Sequence, residues 1–216
     1  MIWKDGTQYE KIIIILGLFL LISFGTTETK AEELVSSHIG DIQLMDITDP
    51  TINKSAVMTF DEISKEISDD LEISLTDAQN MIYQNNTDKS RISAQAATYR
   101  TLSQQFTVTS TYRPTMRFYC ETTESGLYHG IMKILTVNMV RGYNGITKQF
   151  SGNVYVNLER GDRIFYIVNG DFYNNGTTTF NAGVNIGIGE SRSVSFGVSN
   201  SSNHYAYRYI ESYYNW

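Results

Sequence analysis

Three histidines, one cysteine and seven carboxylates of the C-terminal half are the residues of this chain best placed to do chemistry, and their spacing argues against most of it. His38, His129 and His204 are isolated. None belongs to a His-x-x-x-His or Cys-paired cluster of the kind that binds zinc. Cys120 lies in a predicted strand with no activating neighbour, so it reads as a small buried apolar residue. Asp41, Asp46 and Asp49 are too sparse for a calcium loop and lack its glycine. Glu121 and Glu124 could flank a sugar as an acid–base pair, and a location at a turn edge accounts for them equally. No nucleophile elbow or phosphate-cradling glycine loop occurs. A Ser-His-Asp constellation is assembled in space and is not visible in sequence. The expectation is a non-enzyme with no catalytic residues, no metal and no cofactor. Basic residues are scattered, which argues against nucleic acid as a partner.

What remains is aromatic. Tyr205, Tyr207 and Tyr209 alternate, and Tyr213, Tyr214 and Trp216 close the chain. In a strand the first three share one face, with His204, Ala206, Arg208 and Ile210 on the other. A tyrosine row has an apolar body and a polar rim, which suits sugar rings, peptides or headgroups. Its competing role is cross-strand packing within the sheet. Tyr205, Tyr207, Tyr209 and Trp216 are therefore the candidate binding face. The partner expected for it is a surface polymer or a protein, with self-association possible. The Tyr-Tyr-x-Trp ending is similar to the tails of lactococcin-type β-sandwich bacteriocins. That resemblance implies a role directed at membrane or wall. This domain is much longer, and it lacks most of the histidines and tryptophans of those peptides.

Residues 177–199 carry the cleanest alternation. Phe180, Ala182, Val184, Ile186 and Ile188 alternate with Asn181, Gly183, Asn185, Gly187 and Gly189. After a turn, Val194, Phe196 and Val198 alternate with serines and glycine. A half-buried hairpin with a polar outer face gives this pattern. So does an amphipathic hairpin that enters a bilayer within a closed barrel, where strands of ~9–11 residues are needed. The pattern resembles the inserting hairpins of β-pore-forming toxins. That likeness implies membrane contact through Phe180, Val184, Ile186, Ile188, Val194 and Phe196.

The elements that must position these residues fall into three segments. Residues 1–31 read as a signal peptide. An apolar run from Ile12 to Phe24 has signal length rather than the ~20 residues of a spanning helix, and cleavage is expected near Ala31. Residues 32–98 form an acidic helical segment with a linker, of pro-like or spacer character. Residues 32–95 carry a net charge of −9, against +3 for 96–216, an asymmetry that points to a tail or an intramolecular partner. Thr59-Phe60-Asp61-Glu62 is a capping box, and Phe60, Ile63, Ile67 and Leu71 share a helical face. A second box is expected at Thr76-Asp77-Ala78-Gln79. The two helices are short and marginal alone in water, so they pack on each other, pack on the β domain, or fray. Residues 99–216 show period-two alternation with turns at Asn144-Gly145, Gly161, Gly170, Gly176 and Gly189. The fold class expected is α+β, mainly β: a short helical hairpin, then an antiparallel β-sandwich, with a partly open barrel as the alternative.

Together these features predict an exported protein, secreted or at the cell surface, acting as a non-enzymatic binding module at or outside the envelope. The alternative is a membrane-active, toxin-like or antibacterial protein released from an acidic pro-segment.

Overall fold

The computed structural model of the chain describes residues 52–84, 96–180 and 183–216. The expected signal peptide, its cleavage position and most of the linker lie outside the described residues. The first helix, α1 (Phe60–Leu71), begins at the expected capping box. Thr59 Oγ1 accepts from the Glu62 N–H at 3.4 Å, and Glu62 Oε2 accepts from the Thr59 N–H at 2.7 Å. It ends on Glu72 in the left-handed region, whose N–H donates to the Ser68 carbonyl. The second helix, α2 (Leu75–Gln84), starts earlier than the Thr76 box suggests. Ser74 is its cap, accepting from the Asp77 N–H at 3.1 Å and donating to the Asp77 carboxylate at 2.7 Å. Serine caps as well as threonine does, and the Asp77 carboxylate three residues on holds the Ser74 hydroxyl in place by accepting from it.

Two sheets follow. The first is antiparallel, in the order β1 (Ile52–Lys54), β2 (Thr98–Gln105), β3 (Thr115–Thr123), β4 (Gly130–Val140) and β9 (Gly183–Gly187) among the described residues. The second is built from β7 (Gln149–Arg160), β8 (Arg163–Phe180) and β10 (Ser191–Asn215). Between β4 and β7 a small hairpin joins β5 (Gly142–Tyr143) to β6 (Ile146–Thr147). Asn144 and Gly145 hold its turn at positive φ, as a tight hairpin requires. β10 is long enough to pair twice. Its end runs beside β8, from Asn215 opposite Arg163 to His204 opposite Tyr173. Its start runs beside β7, from Ser191 opposite Asn157 to Phe196 opposite Gly152. The second sheet therefore closes on itself.

The main core lies between the sheets. Phe118 of β3 meets Tyr166 of β8 at 5.3 Å and Tyr214 of β10 at 6.4 Å between ring centroids. Leu102, Ile134 and Val137 of the first sheet join Val154, Val168 and Phe172 of the second in the same cluster. The fold is thus mainly antiparallel β and sandwich-like, with two short helices. Those helices form a third layer. Phe60, Ile63 and Ile67 of α1 and Ala78 and Ile82 of α2 pack on Tyr99, Tyr119 and Leu135, on the far side of the first sheet. That covering explains the long apolar run of β4, which is buried on both faces as alternating strands are not. A polar clamp fixes the layer. Arg117 and Tyr119 both donate to the Asp70 carboxylate, and Asn138 Nδ2 reaches the Asp70 carbonyl at 3.2 Å. Burial, reinforced by the bond to Asp70, raises the Tyr119 pKa and keeps its hydroxyl a donor.

Closure of the second sheet needs two glycines in register, Gly152 of β7 and Gly170 of β8. A Cβ on Gly170 would fall 2.3 Å from the Ser151 carbonyl oxygen, and one on Gly152 would fall 2.2 Å from that of Asn169. Both obstacles are backbone, so neither yields cheaply. Gly170→Ala is expected to lower the Tm by roughly 5–10 °C. Gly197→Ala, whose Cβ would meet only Thr179 Oγ1 at an ordinary 3.6 Å, should leave it nearly unchanged. Thermal melts of the two variants check this, and equal melting points would contradict it.

Candidate functional site

The alternation of the three strands of the second sheet assigns one side of each to the core and the other to solvent. On β8, Ile164, Tyr166 and Val168 are buried while Phe165, Ile167 and Asn169 face out. On β7, Val154 and Val156 are buried while Asn153, Tyr155 and Asn157 alternate with them. On the end of β10, Tyr214 is buried and Tyr207, Tyr209, Glu211 and Tyr213 face out. The register places Tyr213 opposite Phe165, Glu211 opposite Ile167, Tyr209 opposite Asn169 and Tyr207 opposite Asp171. It places Asn157, Tyr155 and Asn153 beside Phe165, Ile167 and Asn169 on the other flank. Phe165 lies 4.9 Å from Tyr213 and 6.2 Å from Tyr155 between centroids.

The result is a patch of rings with fixed hydroxyls. Tyr207, Tyr209 and Tyr213 are 52%, 54% and 42% exposed. The Tyr207 hydroxyl donates to Asn169 Oδ1 at 2.9 Å, and the Tyr209 hydroxyl to Glu211 Oε1 at 2.6 Å. The latter bond raises the Tyr209 pKa, since the carboxylate favours the protonated phenol. Arg163 lies over the Tyr213 ring at 4.0 Å and pairs with Glu159 at 3.0 Å.

Of the four residues expected to form the binding face, the structure brings Tyr207 and Tyr209 together. Tyr205 faces elsewhere. A register shift between His204 and Ala206 inserts one residue into β10 and reverses its phase at that point. Tyr205 turns to the core side, edge-on to Tyr112 at 5.9 Å, with its hydroxyl 2.7 Å from Thr109 Oγ1 and Lys148 Nζ 4.4 Å from its ring centroid. Trp216 contacts the first sheet through its ring, 4.3 Å below Lys54 of β1, while its backbone N–H donates to the Asp162 carbonyl in the β7–β8 turn at 2.9 Å. Tyr155, Phe165 and Tyr213 were not singled out for this face by the sequence. They come from three strands, and only the pairing register unites them.

The proposed membrane hairpin is also rearranged. Its two arms do not pair along their length. β9 crosses to the first sheet and pairs with β4, while the start of β10 pairs with β7. Only Thr177–Phe180 and Phe196–Ser199 pair as the hairpin reading requires. Val184, Ile186, Val194 and Phe196 lie in the main core, and Phe180 stacks on Phe196 at 4.7 Å. Ile188, at the turn, is 51% exposed.

Cys120 and Glu124 are tied into the scaffold. Cys120 is fully buried, and desolvation pushes its thiol pKa up, away from nucleophilic use. Glu124 is held by Arg100 at 2.7 Å and by His129 at 3.1 Å. Its pKa is lowered to about 2, chiefly by the Arg100 hydrogen bond. Among the described residues no cluster of three or more His, Cys, Asp or Glu could hold a metal ion, and no helix is long and apolar enough to cross a membrane. No family model, curated protein or solved structure matches the chain.

The Glu124 pair has a pH signature. Because the folded pKa lies below the ordinary carboxylate value of about 4.3, its contribution is complete above that value and is lost as pH falls through about 2. Glu124→Gln should therefore be less stable than the parent at pH 7, with a gap that narrows below about pH 4. Denaturant titrations across that range check it, and a gap constant down to pH 2 would contradict it.

Proposed function

We propose that this protein is a non-enzymatic binding module that acts at or outside the cell envelope through the outer face of its second sheet. Export rests on the apolar run before Ala31 and the small residues around it. Binding rests on one observation above the others: five aromatic side chains, Tyr155, Phe165, Tyr207, Tyr209 and Tyr213, share one face, which no described element covers. Large rings left partly in water on the outer face of a sheet cost solubility and mark contact surfaces.

The burial of Val184, Ile186, Val194 and Phe196 favours this reading over insertion of the 177–199 segment in a bilayer. Extracting each of those side chains costs about 1.5–3 kcal/mol. The four together would consume a large part of the ~5–15 kcal/mol by which a domain is stable.

The test is retention on isolated envelope material. Tyr207→Ala with Tyr209→Ala removes two half-exposed rings and should leave the Tm within a few degrees of the parent, while retention falls about tenfold or more. A folded double variant retained as well as the parent would sink the proposal.

A further inference from the structure

The outer face of the second sheet has two zones, and their chemistry narrows what it can hold. Along β10 and β8 it carries Phe165, Tyr207, Tyr209 and Tyr213. Along β7 and the start of β10 it carries Asn153, Asn157, Ser193 and Ser195, with Tyr155 among them. Asn169 sits between the zones, opposite Tyr209 on one side and Asn153 on the other. Ser195 donates to Asn153 Oδ1 at 2.8 Å, as Tyr207 does to Asn169 Oδ1. Each bond occupies the amide oxygen and leaves the amide N–H2 as the donor for an incoming group.

Charge excludes several partners. The central rows hold no lysine or arginine; their charged members are Glu211 and Asp171. Arg163, at one end, is engaged with Glu159 and Tyr213. Nucleic acids, phosphate-bearing polymers and anionic lipid surfaces are held mainly by cations, which this face lacks. A protein partner is less suited to a zone of serine and asparagine, since the buried centres of protein interfaces are apolar and depleted in serine. Rings beside fixed amides and hydroxyls complement a sugar. The C–H face of a pyranose stacks on an aromatic side chain, and its hydroxyls bond to amide N–H2 and serine. From Tyr207 to Tyr213 the strand advances about 20 Å, which accommodates several sugar units in a row rather than one.

We infer that the outer face of the second sheet binds an uncharged, extended polysaccharide chain, its sugar rings stacked along Tyr207, Tyr209 and Tyr213 and its hydroxyls met by Asn153, Asn169 and Ser195. This rests on the reading of that face as the contact surface and names its ligand class. Stacking is insensitive to salt where ion pairing is not, because at 1 M ionic strength charges are screened beyond about 3 Å.

The experiment uses the full chain on microcrystalline cellulose, on chitin and on heparin–agarose, beside isolated envelope material, with and without 1 M NaCl. Retention is expected on cellulose or chitin and should persist in salt. Tyr209→Ala should weaken it by about tenfold, as loss of one ring stack does elsewhere. Tyr209→Phe should retain it, and Asn169→Ala should weaken it without changing the Tm. Retention on envelope material with none on cellulose or chitin would overturn the inference and leave the binding module standing. Salt-sensitive retention on heparin in preference to the neutral polymers would overturn it as well. Absence of retention on every surface would overturn both this and the wider proposal.

Discussion

Everything on the second sheet depends on one strand pairing twice. β10 lies beside β7 at its start and beside β8 at its end, so both β7 and β8 have hydrogen-bonded neighbours on each side. Pairing on both flanks leaves neither β7 nor β8 as a free edge of the kind through which sheets aggregate. It forces the backbones of β7 and β8 together at Gly152 and Gly170, where no Cβ fits. It also sorts the side chains. With the inner face committed to Val154, Val168, Phe172 and Tyr214, the rings at the alternate positions are left on the outer face. The aromatic patch is thus a consequence of the same pairing that completes the core.

The first sheet solves the opposite problem. Its far face carries Tyr99, Tyr119 and Leu135 among polar side chains, and the acidic helices cover them. The charge asymmetry between the segments finds a structural use at this contact: Glu66 and Asp70 of α1 face Arg117 of β3. The apolar contribution is larger. Phe60, Ile63, Ile67 and Ile82 are all buried against the sheet, whereas partly exposed ion pairs contribute little. The pairing with Arg117 and Tyr119 sets the position of α1 more than it sets stability. With the first sheet covered by helices, the outer face of the second is a broad β surface left uncovered among the described residues.

How much of this was legible in the sequence varies by feature, for physical reasons. Helix α1 was readable because its cap, its reciprocal glutamate and its apolar stripe are all local. α2 began earlier than expected because Ser74 competes with Thr76 as a cap and wins through Asp77. The sandwich class followed from the period-two alternation and the turns at Asn144-Gly145, Gly161 and Gly189, while β8 runs unbroken through the turns expected at Gly170 and Gly176. Partner choice did not. Residues 177–199 alternate without a break, and a period of two is satisfied equally by pairing within a hairpin or by sending β9 to one sheet and β10 to the other. The tyrosine series failed at a single residue. The bulge beside Tyr205 leaves no trace in the alternation of Tyr205, Tyr207 and Tyr209, yet it turns the first of them inward. Phe165 and Tyr155 were invisible as site residues because they join the face only through register.

The claim on which the account turns is that the outer face of the second sheet, and no other exposed aromatic surface, meets the partner. Residue-resolved tyrosine footprinting of the full chain, with and without bound envelope material, tests it directly. Tyr128 is a built-in control: it is 82% exposed on the β3–β4 turn and belongs to none of the three strands that carry that face. The account predicts that Tyr207, Tyr209 and Tyr213 become protected on binding while Tyr128 stays reactive. Protection of Tyr128 with the three face tyrosines still labelled would contradict it.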